Sequence, residues 1–239
     1  MFRWSMLLLG LSLSVVAQAQ EDESRVWSGE VEVGAVLIAG NTDIQRFNGA
    51  LTILRNGEIL RNRARVEGFY ALNSGTEVAR RYALSNQLDY KLGERHYLFN
   101  KVRYENDRYA AFDYNFTSSL GYGYRIVQTP EHQLSAETEA GLGFRELRRA
   151  TTGEVLREGL LVFGLNYRWR PDETATFSQS VDTEISDSRV ITRSLSNITV
   201  MLTEQARFRF AYDHRFNSSV PESFSRTDST ATVSLGYQF

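Results

Sequence analysis

Apolar and polar residues alternate with a period of two along most of the chain. In residues 134–145 the even positions are Leu, Ala, Thr, Ala, Leu and Phe, and the odd positions are Ser, Glu, Glu, Gly, Gly and Arg. Segments 174–186 and 206–217 repeat this alternation. Because successive side chains of a strand point to opposite faces, the pattern predicts strands that separate an apolar medium from a polar one.

Twelve segments follow this alternation and are predicted as strands. They lie near 27–39, 43–55, 60–72, 79–92, 96–106, 112–127, 133–146, 157–169, 174–186, 189–202, 206–217 and 227–239. The three prolines, Pro130, Pro171 and Pro221, all fall between these segments. This placement agrees with the assignment, because proline lacks the N–H group that a sheet ladder needs.

The connections are predicted to alternate between short inner turns and longer outer loops. The predicted inner turns are 56–58, 93–95, 129–131, 171–173 and 203–205. The predicted outer loops include 107–111, 147–156 and 218–226, whereas the first hairpin at 40–42 is tight. An even number of antiparallel strands brings both termini to the same side, which favours a closed barrel.

The polar face decides which medium each side of the sheet meets. The charges on this face include Glu30, Glu32, Arg63, Arg65, Glu67, Lys101, Arg103, Glu105, Asp107, Glu137 and Glu139. An enclosed soluble core could not pair and desolvate so many charges, whereas a wet lumen could hold them. Aromatic residues also concentrate near the predicted strand ends, as in membrane girdles. We therefore predict an all-β fold, a closed antiparallel transmembrane β-barrel of about twelve strands, with a two-sheet soluble sandwich as the alternative.

The N-terminus has the features of a secretory signal peptide. Arg3 precedes the apolar run 6–16, and the small residues Ala17 and Ala19 stand at cleavage-site spacing. We expect a signal peptide at 1–19, a short periplasmic segment at 20–26 and one barrel domain at 27–239. The chain has no cysteine and a net charge of −2, so neither disulfides nor a nucleic-acid partner is indicated.

The C-terminal strand alternates up to the last residue. Ala231, Val233, Leu235, Tyr237 and Phe239 alternate with Thr, Ser, Gly and Gln. This resembles the terminal strand that outer-membrane barrels present to their assembly machinery, with Tyr237 and Phe239 as the signal. The resemblance implies the outer membrane of a Gram-negative bacterium, with outer-membrane lipid and the barrel-assembly machinery as partners and both termini in the periplasm.

Two further stretches resemble a known family. Residues 34–43, Gly-Ala-Val-Leu-Ile-Ala-Gly-Asn-Thr-Asp, look like the first hairpin of the salt-induced outer-membrane proteins, known as YdiY-like. Residues 104–109, followed by Leu-Gly-Tyr-Gly-Tyr at 120–124, are similar to the mid-chain pattern of that family. The resemblance implies an outer-membrane barrel of undetermined activity. The family name implies a link to salt stress, and the family offers no catalytic residues to carry over.

The chain offers few residues for chemistry. The histidines are His96, His132 and His214, and none has a recognisable nucleophile or metal-ligand pattern around it. His214 falls on the apolar parity near the outer rim, where outer-membrane phospholipases place their catalytic histidine. We predict that the protein is not an enzyme and has no cofactor, with a lipid-modifying enzyme acting through His214 as an alternative.

The lumen charges carry the leading functional hypothesis, a narrow polar pore for small solutes or ions, or an envelope protein active under osmotic stress. The candidate pore lining is Arg63, Arg65, Glu67, Lys101, Arg103, Glu105, Asp107, Glu137, Glu139, Asp182, Glu184, Arg207, Arg209, Asp213 and Arg215. Basic and acidic rows on facing walls could form an open pore or one closed by ion pairs, because a barrel of this size is narrow enough for long side chains to bridge. A second alternative is an adhesion or ligand-binding barrel that acts through the loops 147–156 and 218–226.

Overall fold

The computed structural model describes residues 26–38, 44–129, 134–220 and 224–239. Twelve antiparallel strands close into one barrel, which confirms the predicted fold class. The strands are β1 (Trp27–Ile38), β2 (Ile44–Asn56), β3 (Leu60–Asn73), β4 (Thr76–Lys91), β5 (His96–Asp107), β6 (Phe112–Thr129), β7 (Leu134–Arg149), β8 (Val155–Trp169), β9 (Ala175–Ile185), β10 (Val190–Met201), β11 (Ala206–Asn217) and β12 (Thr227–Gln238). In the described part of the chain, no helix is long and apolar enough to cross a membrane.

Each strand pairs with the next along the chain, and β12 returns to β1. The register of this seam runs from Glu30↔Gln238 to Val33↔Leu235, whereas β1 pairs with β2 along its whole length. Beyond the seam, Gly29 and Phe239 exchange backbone hydrogen bonds of 2.9 and 3.0 Å. The closed ladder pairs the backbones of the two terminal strands at the seam, as a strand-built structure in lipid requires. Within the described residues, Ala35–Ile38 and Thr227–Thr232 are paired on one side only.

The outer face of the barrel is apolar and its inner face is charged. Outward-facing Leu120 and Leu142 are 63% and 67% exposed, whereas inward-facing Glu139 and Arg145 are 3% and 0% exposed. This distribution is the reverse of that in a water-soluble barrel and suits a barrel surrounded by lipid. We call the end that holds both termini the termini end and the opposite end the loop end.

The connection between β7 and β8 is shorter than predicted. The ladder continues through Leu147↔Leu156 and Arg148↔Val155, so the predicted loop at 147–156 is wrong. The alternation of inward and outward positions continues past Leu147, whose side chain faces the lumen and is buried there. A tight turn with Gly153 at φ 69° makes the reversal.

Another hairpin is also tighter than predicted. Between β3 and β4, Ser74 and Gly75 both adopt positive φ, which is the geometry of a two-residue type I′ turn. The strands therefore extend beyond the predicted segments 60–72 and 79–92. Pro171 lies in the β8–β9 connection, as predicted. Pro130, Pro221, the predicted hairpin at 40–42 and the predicted cleavage residues Ala17 and Ala19 lie outside the described residues.

Candidate functional site in the barrel lumen

The strand register determines which side chains enter the lumen. Directly paired residues of neighbouring strands project to the same face. Six residues connected in this way from β3 to β8 all project inward: Arg65, Ser85, Arg103, Thr117, Arg145 and Glu158. By the same parity, each residue of the candidate pore lining occupies an inward position on its strand.

A cluster around Tyr97 fills one side of the lumen near the termini end. The guanidinium of Arg61 donates to both carboxylate oxygens of Glu137, at 3.0 and 2.9 Å, and to Asp89 at 2.6 Å. Tyr97 is fully buried, with the guanidinium carbons of Arg61 and Arg125 at 5.3 and 5.5 Å from its ring centroid. Bidentate ion pairs and cation–π contacts reinforce one another in this arrangement.

Glycines on β6 make room for the aromatic rings of this wall. A Cβ atom at Gly123 would lie 2.1 Å from Cζ of Tyr97, and one at Gly121 would lie 2.7 Å from Cζ of Phe99. Both rings are buried in the lumen although they are large and largely apolar. The space that these glycines leave is therefore occupied by Tyr97 and Phe99.

Ion pairs link distant strands in the middle of the lumen. Lys101 on β5 lies 3.2 Å from Glu139 on β7 and 2.9 Å from Asp182 on β9. On the other side of the barrel, Arg65 lies 2.9 Å from Glu32, which Arg209 also contacts. These pairs span up to four strands, so they act across the lumen as well as along the wall.

Six charged residues form a septum across the lumen: Glu67, Arg103, Glu105, Arg193, Asp213 and Arg215. Arg215 on β11 donates to Glu105 on β5 at 2.6 Å. In the cyclic order of twelve strands, β5 and β11 are diametrically opposite, so this pair crosses the full width of the barrel. Arg103 bridges Glu105 and Glu67 at 2.9 and 3.1 Å.

Arg193 completes the septum from β10. Its guanidinium lies 2.5 Å from Asp213 and 3.7 Å from Glu67 on the facing wall. Glu105 is 4.0 Å away. Every one of these septum contacts is made by side chains.

The septum separates two cavities arranged along the barrel axis. The larger, with a volume of about 440 Å³, lies toward the termini end. The smaller, with a volume of about 290 Å³, lies toward the loop end. Five residues line both cavities: Glu105, Asn115, Ile191, Arg193 and Arg215. Since three of the five belong to the septum, its ion pairs form the partition.

The remaining pore-lining candidates have mixed environments. Asp107 lines the smaller cavity and accepts the backbone N–H of Tyr109 at 3.0 Å. Glu184 pairs with Arg145, which is fully buried near the loop end. Within the part of the chain that the structure describes, neither Arg63 nor Arg207 makes an ion pair.

Several site residues were absent from the sequence-based set. They include Arg61, Asp89, Tyr97, Arg125, Arg145 and Arg193, which all make contacts across or along the lumen. The alternation pattern could have identified two of them. Arg61 lies on the same strand face as Arg63, and Arg145 lies on the same face as Glu139. Tyr97 and Phe99 gave no such signal, because an aromatic residue on the lumen face breaks the expected polar pattern.

The outer face holds the histidine that the sequence singled out. His214 projects outward on β11, and its Nδ1 lies 2.9 Å from the hydroxyl of Ser229 on β12. His96 contacts the hydroxyl of Tyr122 near the termini end, whereas His132 lies outside the described residues. Among the residues that the structure describes, no group of three or more His, Cys, Asp or Glu is placed to hold a metal ion.

Solved structures with a similar fold are outer-membrane proteins. The COG4313 outer membrane channel from Pseudomonas putida F1 aligns with a TM-score of 0.53 at 11% identity, covering 92% of this chain and 100% of that chain. The translocator domain of the autotransporter NalP from Neisseria meningitidis aligns with a TM-score of 0.48 at 13% identity, covering 89% and 87%. At such low identity the likeness concerns the fold alone.

A second comparison concerns sequence families. None of the curated proteins matches the chain in sequence. A family model described as "Protein of unknown function, DUF481" matches residues 31–239, which is nearly the whole barrel. The chain has the fold of an outer-membrane β-barrel and belongs to the DUF481 family.

Proposed function

We propose that the protein spans the outer membrane as a channel for small polar solutes and that its septum is the closed gate. The observation that carries this proposal is the Arg215–Glu105 ion pair, which crosses the lumen between two cavities arranged in series. With both termini in the periplasm, the larger cavity faces the periplasm and the smaller one faces outward.

The septum is suited to opening because its contacts involve side chains only. Exposed ion pairs contribute about 0–1 kcal/mol each, whereas removal of one partner of a buried pair costs about 3–5 kcal/mol because the other charge is left unpaired. Several septum residues keep a quarter of their side-chain surface accessible, including Arg103 at 26% and Arg215 at 26%. Glu105 is only 7% exposed and needs a cationic partner, so an ion or a charged solute that takes the place of Arg215 beside it lets the Arg215 side chain rotate and join the two cavities.

Planar-bilayer recording of Arg215→Ala tests the gate. We expect the mean conductance of the variant to rise several-fold above that of the wild type, because the diametrical ion pair is lost. Arg157→Ala is the matched control, since Arg157 also forms an ion pair, with Glu146 at 2.8 Å, but on the exposed outer surface. Heat-modifiable gel mobility verifies that each variant is folded. Equal conductance of Arg215→Ala and the wild type, both at the lipid background, contradicts a channel.

Assembly of the barrel involves the C-terminal strand in this proposal. The ring of Phe239 lies so close to Gly29 that a Cβ atom there would be 2.4 Å from its Cζ. Phe239 thus contributes to the seam in addition to its proposed role, together with Tyr237, as the assembly signal.

The absence of enzymatic activity stays a prediction.

A role under salt stress, which the family resemblance implied, also stays a prediction. Growth of a strain lacking the protein, compared with its parent at low and high salt, tests this role. Poorer growth only at high salt supports it, and equal growth contradicts it.

A further inference from the structure

Two arginines face the larger cavity without a carboxylate partner in the described part of the chain. Arg63 on β3 is paired in register with Leu54 and Gln87. Arg168 on β8 is paired in register with Ser135 and Ser178. Neither neighbouring position carries a negative charge, so the wall next to each arginine leaves its guanidinium unneutralised.

The nearest carboxylates are already occupied. Glu137 accepts two hydrogen bonds from Arg61 and one from Arg125, whereas the hydroxyl of Tyr97 lies closer to Glu139 than to Glu137, at 3.1 against 3.3 Å. Three charge-assisted donors occupy most of the lone-pair positions of a carboxylate. Asp89 is similarly engaged, by Arg61 at 2.6 Å and by the side-chain amide of Gln87 at 3.0 Å. Among the described residues, the ion pairs of these two acids are with Arg61 and Arg125, and neither acid pairs with Arg63 or Arg168.

The residues that line the larger cavity carry an excess of positive charge. Eight of the lining residues are Lys or Arg and six are Asp or Glu, which leaves two positive charges. Both Arg63 and Arg168 are exposed to the lumen and line this cavity. Two positive charges that face one cavity repel each other, and an anion bound between the two guanidiniums relieves that repulsion.

Uncharged donors stand next to these arginines. Ser135, Ser178 and Asn166 line the same cavity. The hydroxyl oxygen of Ser178 accepts the side-chain amide of Asn197 at 3.4 Å, which leaves its own O–H free to donate. Guanidinium groups combined with hydroxyl and amide donors form the usual recognition set for carboxylate and phosphate oxygens.

We propose that the lumen binds small multivalent oxyanions, bearing phosphate or carboxylate groups, between Arg63 and Arg168 on the termini side of the septum. This inference deepens the proposed channel function by naming its solute class. The site itself is an equilibrium binding site and exists whether or not the septum opens. A solute held there lies on the termini side of the ion pairs that close the lumen.

Calorimetric titration of the full-length mature protein, refolded in detergent at low ionic strength, tests the site. Inorganic phosphate and succinate are the two probes, and they distinguish a preference for phosphate from one for carboxylate. We expect saturable binding to the wild type and a loss of about tenfold in affinity in Arg63→Gln and in Arg168→Gln, since each removes charge-assisted hydrogen bonds. Arg157→Gln is the control and should bind as the wild type does.

The outcomes separate this inference from the channel proposal. Binding without any conductance, in the wild type or in Arg215→Ala, supports the anion site and contradicts the channel. Conductance without saturable binding of either probe overturns the anion site and leaves the channel standing. Unchanged affinity in both glutamine variants also overturns the site. Because the two substitutions lie on different strands, failure of one variant to fold leaves the other as the test.

Discussion

The septum and the cavity beneath it use arginine in opposite ways. At the septum, Arg103 and Arg215 each contact carboxylates from other strands, and the lumen is closed there. In the larger cavity, Arg63 and Arg168 contact no carboxylate within the described chain, and the lumen stays open around them. All four are arginines on inward positions of the same barrel. The comparison teaches that the placement of the acids determines whether a lumen arginine closes the barrel or is free to meet a solute.

The largest effect is expected from Glu105→Ala, which removes the acid on which the septum is centred. Glu105 receives Arg103 at 2.9 Å and Arg215 at 2.6 Å, so both arginines lose a partner at once. We expect the mean conductance in planar bilayers to rise at least about tenfold and to exceed that of Arg215→Ala. Glu146→Ala, which removes an acid from the outer surface, is the control. A conductance of Glu105→Ala equal to that of Glu146→Ala would mean that the septum is not the barrier.

Gly123→Ala tests whether packing, rather than ion pairing, maintains the wall around the larger cavity. The added methyl group would lie 2.1 Å from Cζ of Tyr97, so the buried ring must move. Overpacking of this kind costs about 1–3 kcal/mol of unfolding free energy. Gly159→Ala is the matched control, because nothing lies within 4 Å of the new atom. Urea unfolding in detergent measures the unfolding free energy of both variants. Equal values would show that the Tyr97 ring moves aside at little cost.

The smallest effect is expected from Ser178→Asp. This substitution places a carboxylate beside an arginine of the cavity, as the acids of the septum are placed beside theirs. Ser178 is paired in register with Arg168, so the new carboxylate can neutralise its guanidinium. We expect phosphate affinity to fall by about threefold to tenfold, because one cation becomes unavailable. Ser178→Asn has a similar size, keeps a side-chain donor and adds no charge, so it should bind phosphate more tightly than Ser178→Asp does. If both variants bound phosphate equally well, charge at Arg168 would be irrelevant to the site.

Most of the fold could be predicted from local patterns. Alternation with a period of two is a property of a few neighbouring residues, and it located all twelve strands before any pairing was known. The length of the β7–β8 loop was harder to predict from the sequence. The composition of 147–156 suggested a loop, but inward and outward positions continue to alternate past Leu147 in the paired strands. Turn formation there depends on Gly153 and on the neighbouring ladder, which become evident only when β7 and β8 are paired.

The septum could not be predicted, because its contacts join residues that are remote in sequence. Glu105 and Arg215 are 110 positions apart, and the stagger of all the strands between them decides whether they meet. The inward parity of both was predictable from the alternation, but their partnership was not. The sequence therefore left open whether the charges form an open pore or a closed one. The burial of Tyr97 and Phe99 was hidden for another reason, since large rings on the charged face require the glycines of an adjacent strand.

Construction of the septum from side chains alone has a kinetic consequence for the proposed gate. Hinged lids and folded loops move in microseconds to milliseconds, whereas accessible side chains change rotamer in picoseconds to nanoseconds. A partition of guanidinium and carboxylate groups needs no rearrangement of the backbone, so it should break and reform faster than a lid or a loop opens and closes. The recorded current should be a steady average with excess high-frequency noise instead of discrete steps between open and shut levels.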